Sequence, residues 1–358
     1  MATIIDRLDD YQRRHRWLSL PLGVVYKFVE DQGTYQAALL TYYGFVSLFP
    51  LLLLLTTGLG FALHGSPHLQ QQVLHSALNQ FPVIGDQIGA NIHSFHGNAF
   101  ALAVGIAGSL YGAIGVAQAA QNALNRIWAV PRHLRPNPLV SRLRSLLLLG
   151  LLATGVILTA ALTALSSTSH VFGVDISWAA RIGAVVFSVA LNAALIMLTF
   201  QVLTARVLRR SQLWPEAVAG AVIWQVLLVA STYSVNHTLR GSTATYGMFA
   251  IVLGLLAWLY LGAMTFVLCA QSAAVRAHHL WPRNLLAPFV DDLTLTGADK
   301  RAYTSYATTE SYKTFENVRV VFDQATPPAQ ALPPAQPPVP APAPAPADEQ
   351  RDGTEAAS

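Results

Sequence analysis

The chain of 358 residues contains a single cysteine, Cys269, which excludes an internal disulfide framework and a cysteine-rich zinc site. The sequence also lacks a nucleotide-binding P-loop, a dinucleotide fingerprint, a zincin motif and a Gly-x-Ser-x-Gly elbow. Metal-assisted cleavage of RNA needs clustered carboxylates, whereas residues 32–275 contain only Asp86, Asp175 and Glu216, which are widely separated. We therefore expect a protein that is not an enzyme and that has no catalytic residues, cofactor or metal.

Charge is scarce as well, because 11% of the residues are charged against roughly a quarter in a soluble domain. Only 13 of the 40 charged residues fall within residues 32–275, and the other 27 lie in the remaining 114 positions. Hydrophobic residues make up 53% of the chain. This distribution predicts a membrane domain over 32–275, a charged leader over 1–31 and a polar segment over 276–325.

Six long runs contain no Asp, Glu, Lys or Arg, and each exceeds the roughly 20 residues with which a helix crosses a bilayer. Runs of this length suit helices better than barrel strands, because backbone groups must be paired within the lipid. We predict an all-α integral membrane protein with six transmembrane helices. The predicted spans lie near 38–63, 99–120, 144–166, 182–204, 217–236 and 247–272.

Basic residues lie almost entirely on one side of these spans. The loops on the other side contain only Arg181 and Arg240, so 20 of the 22 basic residues share a side. By the positive-inside rule we expect both termini in the cytoplasm. The net charge of +4 then reports topology, and we expect membrane lipids and no nucleic acid as partners.

Three segments flank the spans. The leader 1–31 suits an interfacial helix with its arginines towards the headgroups, or a solvated leader; the side chains towards lipid would be Trp17, Leu18, Val25 and Phe28. Residues 64–98 on the outer side have apolar side chains every four residues, which predicts amphipathic helices that cap the bundle or border a lipid entrance. Residues 326–358 begin with a Pro/Ala-rich tract that predicts an extended, disordered tail.

Uncharged polar residues within the spans are candidates for a transport path or a hinge. Pro50 removes a backbone donor in the middle of the first span and kinks the helix there. Since no charged pair lies in any span, proton-driven transport is disfavoured. Helix packing by hydrogen bonds and a static kink are the alternative interpretations. The candidates are Tyr42, Tyr43, Ser47, Pro50, Asn192, Gln225 and Gln271.

Glycines form a stripe on the second span. Gly105, Gly108, Gly112 and Gly115 fall at i, i+3, i+7 and i+10, which is one helical face. Such a smooth face lets another helix approach closely. We expect packing within the chain in preference to dimerisation, although the sequence leaves the oligomeric state open.

Several motifs resemble the YihY/BrkB family of bacterial inner-membrane proteins. The stretch KFVEDQGTYQAALLTYYGFVSLFP, residues 27–50, resembles the opening of that family. Further similarities occur, in order and at the family's spacing, at Asn125 and Trp128, at Gly220, and at Tyr246 and Gly247. The chain differs at Gln271, where the family has an acidic residue, and around 201–210, where the family's aromatic-and-proline stretch is degraded.

This resemblance implies six helices and a role in the cell envelope, with relatives connected to the movement of lipids or lipid-linked glycans. An older ribonuclease label for the family looks like a misassignment, and the scattered carboxylates agree with that view. The leading hypothesis is a protein that moves a lipid or amphiphile across or out of the membrane. The alternative hypothesis is a non-transporting scaffold that recruits other envelope proteins.

Overall fold

A computed structural model describes residues 2–62, 99–150, 178–234, 240–290 and 294–322. The predicted outer segment 64–98, the tail 326–358 and most of the third predicted span lie outside these residues. Every regular element in the described part of the chain is helical, which confirms the all-α fold. Residues up to Val321 belong to one folded unit. A second unit begins at Phe322, which is the one residue of that unit that the structure describes.

The helices are as follows in chain order: α1 (Ala2–Arg14), α2 (Arg16–Glu30), α3 (Gly33–Ala62), α4 (Ala99–Ile127), α5 (138–150 as far as described), α6 (Trp178–Leu203), α7 (Arg210–Ser234), α8 (Arg240–Ala277) and α9 (Gly297–Thr309). Helices α3 and α4 cover the first two predicted spans, and α5 covers the start of the third.

Three stretches of the described chain are long and apolar enough to cross a membrane: Val185–Leu203, Arg210–Ala230 and Val252–Ala277. They match the fourth, fifth and sixth predicted spans. Large apolar side chains such as Val186, Val226 and Phe249 point away from the protein on these helices. Surfaces of this kind are stable in lipid, because hydrocarbon replaces the water that would otherwise be ordered around them.

The helices pack through small residues. Helix α3 lies along α4, α6 lies along α7, and α8 contacts α2, α3, α4 and α7. A Cβ atom added to Gly112 would lie 2.5 Å from Cβ and 2.6 Å from Cα of Ser47 on α3. A Cβ atom on Gly115 would overlap the ring of Tyr43. Half of the predicted glycine stripe therefore faces α3, at the position of two path candidates.

Three helices end in the same way, with a residue other than glycine in the left-handed region. Gln32, Ala129 and His279 have φ angles of 58°, 50° and 52°, and each follows the end of a helix. After α4, the N–H of Val130 donates to the carbonyl of Asn125 over 2.8 Å, which caps the last turn. These turns fix the directions in which the loops leave α2, α4 and α8.

The close contact between α3 and α4 predicts that a methyl group added at Gly112 destabilises the protein. Gly112→Ala is expected to lower the free energy of unfolding by about 1–3 kcal/mol, because the backbone of Ser47 must move away from the new Cβ. Gly44→Ala on α3 is the matched control, since its added Cβ meets no atom within 4 Å. Thermal unfolding in detergent measures both variants. A Gly112→Ala protein as stable as the control would contradict this packing.

Candidate functional site

The path candidates predicted from sequence are distributed over four helices. Tyr43 and Ser47 lie together at the α3–α4 contact, and the Ser47 hydroxyl donates to the carbonyl of Gly44 over 2.9 Å. Tyr42 is exposed on the outside of α3. Pro50 lies within the helical backbone of α3, and its side chain is outside the described part. These tyrosine and serine side chains therefore do not form one polar surface.

The three amide candidates differ in their surroundings. Asn192 on α6 donates to the carbonyl of Ser188 on its own helix over 3.0 Å, so one of its donors is already used locally. Gln225 on α7 is half-buried. Gln271 on α8 is 0% exposed, and neither its Nε2 nor its Oε1 has a hydrogen-bond partner among the described residues. A buried amide without partners costs roughly 1–3 kcal/mol or more.

Small buried residues surround Gln271 along α8. Ala270, Ala273 and Ala274 are fully buried in the main apolar core, where α8 packs against α3 and α4. The amide thus places a donor and an acceptor in an apolar part of the bundle. The carboxamide of Gln271 suits a polar group that both accepts and donates hydrogen bonds.

A buried polar cluster lies beyond the end of α8 and is built around Arg283. The guanidinium is 1% exposed and binds Glu30 of α2 with two hydrogen bonds of 2.5 and 2.8 Å. A third bond of 2.8 Å joins Arg283 Nε to Asp299 of α9. The rings of Tyr26 and Tyr303 lie over the guanidinium at 5.5 and 5.4 Å. We call Arg283, Glu30, Asp299, Tyr26 and Tyr303 the Arg283 cluster.

A second buried ion pair adjoins this cluster. Lys27 and Asp31, one turn apart on α2 and its C-cap, are 2% and 1% exposed, and their charged atoms lie 2.9 Å apart. Tyr306 of α9 connects the two groups, because its hydroxyl donates to Glu30 over 2.6 Å and its ring lies 5.2 Å from the Lys27 ammonium. The bridge from Glu30 through Arg283 to Asp299 and the contacts of Tyr306 with Glu30 and Lys27 therefore hold α9 against α2.

Burial and neighbouring charges shift the pKa values of Arg283, Asp31 and Tyr306. Burial lowers the pKa of Arg283, but its hydrogen bonds and charge interactions with Glu30 and Asp299 outweigh that effect and raise the pKa overall. Burial raises the pKa of Asp31, although Lys27 and Arg126 oppose the rise. Burial and the charges of Asp31 and Glu30 also raise the pKa of Tyr306, which therefore stays a hydrogen-bond donor. Because its pKa is raised, the Arg283 guanidinium remains charged under all ordinary conditions.

Helix α9 is tied down at both ends. At its start, Thr296 and Asp299 form a reciprocal capping box, and Asp299 also accepts from the backbone N–H of Asn284 over 3.1 Å. Beyond its end, Glu310 pairs with Arg132 at 2.8 Å, and His133 N–H donates to the carbonyl of Ser311 over 3.3 Å. Helix α9 therefore reaches from α2 to the loop that follows α4.

The N-terminal helix α1 contacts the same loop after α8. Gln12 donates to the carbonyl of Arg283 over 2.6 Å, and Asp9 accepts from the N–H of Leu285 over 2.9 Å. Trp17 and Val25 on α2 are exposed. Phe28 is partly buried against the main apolar core, so the prediction that it faces lipid was wrong, and the interfacial position of the leader stays a prediction. The leader and the segment after α8 thus build one side of the protein together.

The family-motif residues join helix ends. Asn125 accepts from the N–H of Ala205 over 2.8 Å and so connects the ends of α4 and α6. Trp128 is 1% exposed and lies edge-on to His278, with ring centroids 5.5 Å apart. Gly220 gives Cys269 room, because a Cβ there would lie 3.1 Å from its Sγ. Tyr246 and Gly247 lie in α8, and their side chains are not described.

Neither the Arg283 cluster nor α9 was predicted from the sequence. Residues 276–325 have the pattern of a polar segment because α9 has no apolar stripe; its buried face consists of Ala298, Asp299, Ala302 and Thr309. One signal was available: Thr296 and Asp299 have the Ser/Thr-x-x-Asp/Glu spacing of a capping box. The family-like stretch 27–50 includes Lys27, Glu30 and Asp31. The sequence does not show which residues pair with these three charges.

No group of three or more His, Cys, Asp or Glu side chains in the described part of the chain could hold a metal ion. The histidine-rich residues 64–96 lie outside that part.

Removal of the central guanidinium is expected to destabilise the protein strongly. Arg283→Gln leaves Glu30 and Asp299 without their cation, which should cost roughly 3–5 kcal/mol of unfolding free energy. Arg132→Gln is the matched control, because its pair with Glu310 is exposed and should contribute little. Thermal unfolding in detergent compares the two. Equal midpoints would contradict a structural role for the Arg283 cluster.

Acid is expected to destabilise the protein through His278. Burial, with the charges of Arg206 and Lys27, lowers the pKa of His278 to about 4 from an ordinary 6.5. A lowered folded-state pKa gives stability that is present above pH 6.5 and is lost as the pH falls towards 4. In its neutral form His278 Nε2 accepts from Arg206 over 3.3 Å. His278→Gln should reduce the loss of stability between pH 6.5 and 4, measured as the unfolding midpoint against pH. His279 is exposed and is the smallest of the charges that lower the pKa of His278, so His279→Gln should change this loss much less.

Comparison with known proteins places the chain in a family. The profile of the family "Virulence factor BrkB" matches residues 24–288, which include Glu30, Gln271 and Arg283 and end before α9. A UPF0761 membrane protein of Psychrobacter sp. (strain PRwf-1) is 25% identical over 308 residues, which are 82% of this chain. The chain spans about half of that relative, 55% of its length. No solved structure matches. The sequence motifs, the helical membrane domain and the extent of this match show that the chain belongs to the BrkB family of membrane proteins.

Proposed function

We propose that this protein moves, or assists the movement of, a lipid or another amphiphile across or out of the bacterial cytoplasmic membrane, without catalysing a covalent reaction. In this proposal it crosses the inner membrane six times with both termini in the cytoplasm. The distribution of basic residues supports that orientation, since 20 of 22 lie on one side of the predicted spans.

The observation that carries the proposal is the state of Gln271. A fully buried amide with no partner among the described residues is unfavourable in an apolar bundle, unless a bound group uses it during function. A lipid headgroup with hydroxyl, amide or phosphate oxygens would supply the missing bonds. The amide is uncharged, which suits a headgroup that slides past it better than an ion-coupled step.

Exchange of fluorescent lipids between leaflets tests the proposal. Purified full-length protein in liposomes should speed exchange above that in empty liposomes for at least one headgroup. Gln271→Leu should reduce that rate about tenfold, since about 1.4 kcal/mol of hydrogen bonding to the moving headgroup is lost. Asn192→Leu is the matched control, because that amide already bonds within its own helix, and its rate should stay near that of the wild type.

Several headgroups are needed in this assay, because the chain does not identify one. Exchange equal to that of empty liposomes for every headgroup would overturn the proposal, and the non-transporting scaffold would then stand. Equal rates for Gln271→Leu and the wild type would exclude this amide from the path.

A truncated protein tests the scaffold hypothesis, and the structure shows where the chain should be cut. Deleting everything after residue 275 would remove Arg283 and Asp299 and so damage the fold. A cut after Phe322 leaves both residues in place and removes the Pro/Ala-rich tract. Recovery of a deletion phenotype by this shortened protein would show that the tail does not carry the function.

A further inference from the structure

The turn between α6 and α7 combines positive charge with protruding apolar side chains. It follows one stretch that is able to cross a membrane, Val185–Leu203, and includes the first five residues of the next, Arg210–Ala230, so we expect it at the surface of the lipid. Residues 204–214 contain three arginines and no acidic residue. We call this segment the α6–α7 turn.

Burial decides which side chains of the turn point outwards. Leu208 and Leu213 are buried, at 6% and 0% exposure, and so fix the turn to the bundle. Val207 is 96% exposed, and Trp214 on the first turn of α7 is 59% exposed. A valine and a tryptophan held outwards at this level are typical of side chains that enter the interfacial layer of a bilayer.

The arginines of the turn have no acidic partner in the part of the chain that the structure describes. Arg209 and Arg210 are exposed and form no ion pair with another described residue. The nearest acidic residue in the chain, Glu216, is already paired with Arg276 at 2.5 Å. Arg206 contacts His278, which burial keeps neutral. Their charge is therefore available to an anion at the membrane surface.

We propose that the α6–α7 turn binds the headgroup of an anionic phospholipid, with Arg209 and Arg210 on the phosphate and with Val207 and Trp214 in the adjoining interface. Charge complementarity and the protruding apolar side chains together select a lipid, because a free phosphate would use the arginines alone. The proposed binding of a phospholipid headgroup does not depend on lipid movement.

Ligand-induced stabilisation tests the proposal. Full-length protein in neutral detergent is heated with increasing amounts of phosphatidylglycerol, of phosphatidylcholine or of inorganic phosphate. Phosphatidylglycerol should raise the unfolding midpoint at lower concentrations than phosphatidylcholine, and phosphate should raise it little. The double variant Arg209→Gln/Arg210→Gln should need about tenfold more phosphatidylglycerol for the same shift.

A matched control removes the same charge elsewhere. Lys313→Gln/Arg319→Gln lies on exposed positions after α9, and it should respond to phosphatidylglycerol like the wild type. The midpoint without lipid checks folding, and both double variants should match the wild type there. Equal effects of the two lipids, an unchanged Arg209→Gln/Arg210→Gln response, an equal loss in the control, or the same shift with phosphate would each overturn the proposal.

Discussion

The buried guanidinium of Arg283 is the constraint on which the arrangement outside the lipid depends. A cation removed from water is stable only when several partners replace its hydration, and Arg283 has two carboxylates and two aromatic rings. These partners come from α2 and α9, which are more than 250 residues apart in the chain. The Arg283 charge therefore links the leader to the segment after the last span.

The α3–α4 contact and the Arg283 cluster are stabilised by different interactions. Between α3 and α4, glycines remove side-chain volume so that the backbones approach closely, which is how helices associate when lipid surrounds them. Around Arg283, the α9 face is made of small and polar residues, so apolar burial there is limited and ionic hydrogen bonds take its place. Gln271 fits neither scheme, because it is buried and has no partner among the described residues.

Much of the membrane part could be predicted from the sequence, because long apolar runs and glycine spacing follow directly from the lipid environment. Helices α6, α7 and α8 lie where the hydrophobic runs place them, and Gly112 and Gly115 face a neighbouring helix. The pairing of charges could not be predicted, since Glu30 and Arg283 meet through the fold and no local pattern links them. Likewise, a sequence shows that Gln271 is polar and lies in a predicted span, but not that its two amide atoms lack partners among the described residues.

Hydrogen exchange of the backbone of α9 tests the role of Arg283 most directly. In the full-length protein the amides of residues 297–309 should be protected, and in Arg283→Gln they should exchange at nearly the rate of an unfolded segment while those of α8 stay protected. Protection of α9 that is unchanged in Arg283→Gln would contradict the account, because apolar packing alone would then hold this helix.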